Sequence, residues 1–77
     1  MEIKVLGPGC VNCARLEANV KKVIEELGLD AEVEKVEDVV EIMSYGIMST
    51  PGLVVDGQVK VAGRVPTSEE IKAILKG

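Results

Sequence analysis

The stretch from Glu2 to Val36 constrains the possible folds more than any other. Glu2 to Leu6 is short and rich in strand formers, with Ile3 and Val5 on one face, so it predicts a strand. Gly7-Pro8-Gly9 then breaks regular structure. A helix is expected from Cys10 or Val11 to Leu27, because Cys13, Leu16, Val20, Val23, Ile24 and Leu27 recur at helical spacing. Glu17, Lys21 and Glu25 pair along the opposite side, and Gly28 stands where a left-handed stop belongs. Ala31 to Val36 predicts a second strand, with Glu32 and Glu34 alternating as on a protected sheet edge. A strand, a long helix and a strand make a right-handed crossover, and that forces the two strands to be parallel.

The remaining elements follow from local signals. Asp38, with Glu41 three residues on, marks a helix start, and Gly46 marks its stop. Val39, Ile42, Met43 and Ile47 form one apolar side, so Met43 is expected in the core and Met48 as loop filler. Tyr45 is expected at the helix surface, and the sequence names no partner for it. Met48 to Gly52 is a loop. Leu53-Val54-Val55, Asp56-Gly57 and Gln58 to Val61 form a hairpin signal, because Asp-Gly favours a primed turn. The continuous apolar run of Leu53 to Val55 suits a central strand covered on both faces. Gly63 to Pro66 is a turn, with Arg64 expected to be solvated on it and, as the alternative, at the edge of the functional site. Thr67 and Glu70 form a capping box for a last helix carrying Ile71, Ile74 and Leu75.

The expected fold is therefore α/β, β-α-β-α-β-β-α, with a four-stranded mixed sheet and helices on both faces. The chain has 77 residues, which predicts a single domain over 1–77.

Composition excludes several functions. There are 9 basic and 13 acidic residues, a net charge of −4, which disfavours nucleic acid and anionic membranes. Tyr45 is the one aromatic residue, so bases have no stacking platform. The longest uncharged run, Ile42 to Val55, is shorter than a bilayer crossing and contains Pro51 and two glycines. No basic head and apolar stretch precede Glu2, so a cytoplasmic chain without a secretory leader is expected. There is no histidine, which removes the commonest general base and His-ligated metal sites.

The chemistry then falls on two cysteines, Cys10 and Cys13. If Cys10 caps the helix, its sulfur faces the amides of Asn12 and Cys13 and the positive helix end. Such a setting favours thiolate, the nucleophile of disulfide exchange. Cys13 shares a face with Leu16 and Val20, points to the core, and suits a resolving thiol. Cys-x-x-Cys is also a metal-binding spacing. Two thiolates can hold Cu(I), and two chains could supply four for zinc or an iron–sulfur cluster. Small copper chaperones use the same spacing, but their β-α-β-β-α-β order ends in a strand, whereas this chain is expected to end in a helix. An inert thiol pair or a noncatalytic binding module is the third possibility.

Gly7-Pro8-Gly9-Cys10-Val11-Asn12-Cys13, Ser49-Thr50-Pro51-Gly52 and Gly63 before the last helix resemble the thioredoxin/glutaredoxin superfamily. The resemblance covers nearly the whole chain and is nearest to the very small archaeal and bacterial redox-active disulfide proteins. It implies a thioredoxin-like fold and a dithiol–disulfide oxidoreductase that carries electrons to protein disulfides. Cys10 would be the nucleophile and Cys13 the resolving thiol, together forming the redox disulfide. The Thr50-Pro51 bond would be cis and lie against that disulfide, with Thr50 and Pro51 binding an extended substrate segment. Partners would be protein disulfides and an upstream reductase. The protein would be a monomer needing no cofactor and no resident metal. The chain departs from the family at several points. Gly9 stands where thioredoxins carry tryptophan, and Val11-Asn12 where they carry Gly-Pro. The buried Asp that assists thioredoxin's second cysteine has no counterpart in the first strand. Glutaredoxin's second glycine and acidic pair after strand 4 are replaced at Gly63-Arg64.

Overall fold

A computed structural model describes residues 1–8 and 11–76. Its elements are β1 (Glu2–Leu6), α1 (Val11–Leu27), β2 (Glu32–Val36), α2 (Val39–Ser44), β3 (Gly52–Val55), β4 (Gln58–Ala62) and α3 (Ser68–Lys76). The sheet order is β2-β1-β3-β4. β1 and β2 run parallel, with Ile3 opposite Val33 and Leu6 opposite Val36. β3 is antiparallel to both β1 and β4. The expected mixed sheet is present, and the crossover helix α1 accounts for its parallel half.

Two apolar clusters flank the sheet. One joins Ile3 and Val5 of β1 and Leu53 and Val55 of β3 to Leu16, Val20 and Val23 of α1 and Ile71 and Leu75 of α3. The other joins Leu6, Val36 and Val54 to Ile42 of α2 and to Ile47. Helices therefore cover both faces. β3 is buried along its whole length because its alternate residues feed both clusters.

Local chemistry sets the ends of these elements. At the end of α1 the Leu29 amide donates to the Ile24 carbonyl (3.1 Å) and the Gly28 amide to that of Glu25 (3.3 Å). This is the double bond pattern of a Schellman stop. β2 starts at Glu32, one residue later than expected, and lies at a sheet edge as its charges predict. Asp38 caps α2 by accepting from the Val40 amide. Asp56 and Gly57 both have positive φ, as a primed hairpin turn requires. The Thr67–Glu70 capping box is reciprocal, with both amide-to-side-chain bonds at 3.2 Å.

Two expectations about α2 are corrected. Met43 is 65% exposed and does not fill the core, whereas Met48 lies in the loop as expected, fully exposed. A six-residue helix offers about one and a half turns, enough to bury Ile42 but not Val39 or Met43 as well. Tyr45 is half-buried rather than a bare surface residue. It packs on the second cluster, and the Lys4 ammonium lies 5.9 Å from its ring centre. Tyr45's hydroxyl, as hydrogen-bond partner, raises the Lys4 pKa.

Candidate redox site

Three segments converge at the C-terminal end of β1. Gly7 continues the strand by donating its amide to the Val36 carbonyl at 2.9 Å. α1 begins four residues later, and its first turn contains no acidic residue to compete for the positive helix end. Cys13 lies in that turn and is completely buried. Its sulfur packs so closely on Gly7 that a β-carbon at position 7 would overlap it. The same β-carbon would lie 3.9 Å from Thr50 Cβ. The second cysteine, the end of β1 and the Thr50 loop thus share one small volume. A glycine is needed at position 7 for lack of space.

The Thr50–Pro51 peptide bond is cis, as the resemblance implied. Pro51 is buried while Thr50 remains exposed. The Pro51 carbonyl accepts from the Gly63 amide at 2.9 Å. Gly63 has a φ of +83°, and a β-carbon there would come within 3.1 Å of Ser49 Cβ. Both the backbone conformation and the close approach favour glycine at this turn.

The structure therefore brings Cys13, Thr50 and Pro51 into one region. Cys10 lies outside the described residues, as does the expected contact of its sulfur with the helix amides. Cys13 is buried and faces inward, as its spacing with Leu16 and Val20 predicts. Among the described residues, no group of three or more Cys, Asp or Glu side chains is arranged around a metal position.

Two features beside the site, a groove and a side-chain pairing, go beyond the sequence reading. The first is an apolar groove of about 330 Å³ lined by Pro8, Val39, Met43, Ile47, Met48 and Thr50. Its signal in the sequence was an α2 with more apolar positions than so short a helix can bury. The second is Arg64, which is not simply solvated. It donates from Nη1 to Glu70 Oε1 at 3.0 Å and from Nη2 to Glu70 Oε2 at 2.6 Å. Arg64, and after it the Thr67 amide, hold the Glu70 carboxyl down at about 2. No helix among the described residues is long and apolar enough to cross a membrane.

A buried cysteine at the head of the crossover helix, facing a cis-proline loop across the end of the central strand, defines a thioredoxin-like protein. Sequence comparison agrees. Residues 1–76 match the family described as Thioredoxin domain, and the chain belongs to that family. It is 48% identical over 75 residues to a thioredoxin of Methanothermobacter thermautotrophicus, covering 97% of each chain. It is 46% identical over 74 residues to a thioredoxin of Methanocaldococcus jannaschii, covering 96% of this chain and 85% of the relative. A second thioredoxin of that organism is 33% identical over 73 residues. These relationships support a function of the thiol–disulfide oxidoreductase type.

Proposed function

We propose that this chain is a dithiol–disulfide oxidoreductase that reduces protein disulfides through Cys10 and Cys13. The observation that carries the reading is the packing of the Cys13 sulfur against Gly7, within reach of Thr50 and the cis Thr50–Pro51 bond.

The reaction follows from thiol chemistry. The Cys10 thiolate attacks one sulfur of a substrate disulfide. That S–S bond breaks, the other substrate sulfur leaves as thiolate and takes a proton, and a mixed disulfide forms. Cys13 then loses its proton and attacks the Cys10 sulfur, releasing the second substrate thiol. The substrate gains two electrons and two protons, and the Cys10–Cys13 disulfide holds the oxidised equivalent. An upstream reductase returns two electrons to it.

The division of labour rests on environment. Cys10 precedes a helix whose positive end favours its ionised form. Cys13 is buried, which keeps it from substrate disulfides in solvent and suits it to attack a disulfide formed on Cys10. Exposed Thr50 offers backbone groups to an extended substrate segment. The apolar groove shares Thr50 with the site, so that segment would set its apolar side chains against Met43 and Met48. In this reading residues 1–77 act as one domain and one monomer, in a reducing cytoplasmic setting.

The test is dithiothreitol-driven reduction of a small disulfide-bonded protein such as insulin, with wild type beside Cys10→Ser and Cys13→Ser. Rate enhancement by wild type and its loss in Cys10→Ser is expected. No enhancement, together with tight anaerobic uptake of Cu(I) or zinc, would instead establish a metal carrier.

A further inference from the structure

The turn between β4 and α3 is held at four successive points. The Gly63 amide donates to the Pro51 carbonyl at 2.9 Å. The Arg64 guanidinium grips both carboxylate oxygens of Glu70. Pro66 is buried. Thr67 exchanges capping bonds with Glu70. One carboxylate thus serves two purposes, because Glu70 caps α3 and anchors Arg64 at once.

The capping role accounts for Glu70 and Thr67 but leaves Arg64 without a purpose. Stability is a poor explanation for Arg64, since its side chain is 57% exposed and that of Glu70 40%. Pairs so exposed contribute little net free energy because water and salt screen them. A two-pronged arginine–carboxylate pair does supply a fixed geometry. What it fixes here is the residue covalently joined to Gly63, whose amide holds the carbonyl of Pro51.

We propose that Arg64 and Glu70 form a clasp that holds the Gly63 turn against Pro51 and so positions the Thr50–Pro51 backbone for substrate. They are positioning residues that act through Gly63, and neither touches the reacting sulfurs. The proposal rests on the reading of Thr50 and Pro51 as substrate-binding.

Three variants separate the clasp from the cap. Arg64→Ala removes the clasp and leaves the capping box. Glu70→Gln keeps a carbonyl for the Thr67 amide but weakens the pair with the guanidinium. Thr67→Ala weakens the cap and leaves the clasp. In the insulin assay, Arg64→Ala and Glu70→Gln are expected to raise KM about three- to tenfold with kcat within about twofold, the signature of lost binding geometry. Their Cys10 alkylation rates should match wild type and their melting temperatures should fall only by the small share so exposed a pair adds, while Thr67→Ala lowers the melting temperature further and leaves KM unchanged. Arg64→Lys should recover only part of KM, because a point charge cannot reproduce the fork.

Hydrogen exchange of the Gly63 amide gives a readout that needs no activity. It should speed up about tenfold in Arg64→Ala and not in Thr67→Ala, as local opening becomes easier. Unchanged KM in Arg64→Ala, or parallel changes of KM and melting temperature in all variants, would overturn the clasp. Unchanged Gly63 exchange in Arg64→Ala would overturn it even if wild type proved inactive, an outcome that would separately remove the oxidoreductase reading.

Discussion

The sulfur of Cys13 occupies the space that a side chain at Gly7 would need. This contact ties the residue that follows β1 to the first turn of α1. Gly7→Ala must therefore push the two apart. Overpacking of this kind costs about 1–3 kcal/mol. The variant should melt at lower temperature, and Cys13 should become alkylatable under native conditions. A Gly7→Ala protein with wild-type stability and a protected Cys13 would contradict the contact.

The exposed methionines offer a contrasting case. Met48 is fully exposed and Met43 largely so, hence polar replacements should alter stability by no more than about 0.5 kcal/mol each. Both line the groove that shares Thr50 with the site. Met43→Ser/Met48→Ser is therefore expected to fold normally and to raise KM for a protein disulfide while leaving Cys10 alkylation unchanged. Thermal melts and steady-state kinetics on the same preparation check this. Equal KM for variant and wild type would remove the groove from the substrate surface.

Glu70 carries a pH dependence whose sign is fixed by its partners. Arg64 first, then the Thr67 amide, pull its carboxyl from the ordinary 4.5 to about 2. The folded state thus favours the ionised form more than the unfolded chain does. The stability this adds is fully present above pH 4.5 and is lost as pH falls from there toward about 2. Salt weakens it, since the pair is half-exposed. A carboxyl-detected NMR titration should find the Glu70 midpoint near 2 in wild type and closer to 4.5 in Arg64→Ala. A wild-type midpoint near 4.5 would refute the pairing.

Much of this architecture is legible in local signals. The spacing of Leu16, Val20 and Val23, the unbroken Leu53-Val54-Val55 run, the Asp56-Gly57 turn and the Thr67–Glu70 box each depend on neighbours within a few residues. The cis bond at Pro51 was implied by family resemblance, because the composition of the loop does not distinguish cis from trans. The contacts that escaped depend on how elements approach one another. The burial of Met43 could not be settled without knowing that α2 stops after six residues. The Arg64–Glu70 pair spans a turn whose path is set by buried Pro66 and by the Gly63 bond to Pro51. The Gly7–Cys13 contact depends on the angle at which α1 leaves β1.

In the proposed mechanism Cys10 attacks and Cys13 resolves, and trapping of the mixed disulfide distinguishes the two roles. Cys13→Ser and Cys10→Ser, each reduced, are mixed with insulin, quenched in acid and analysed by mass spectrometry without reductant. A mixed disulfide on Cys10 is expected to accumulate in Cys13→Ser, and none on Cys13 in Cys10→Ser. Equal trapping by both variants, or by neither, would contradict that mechanism.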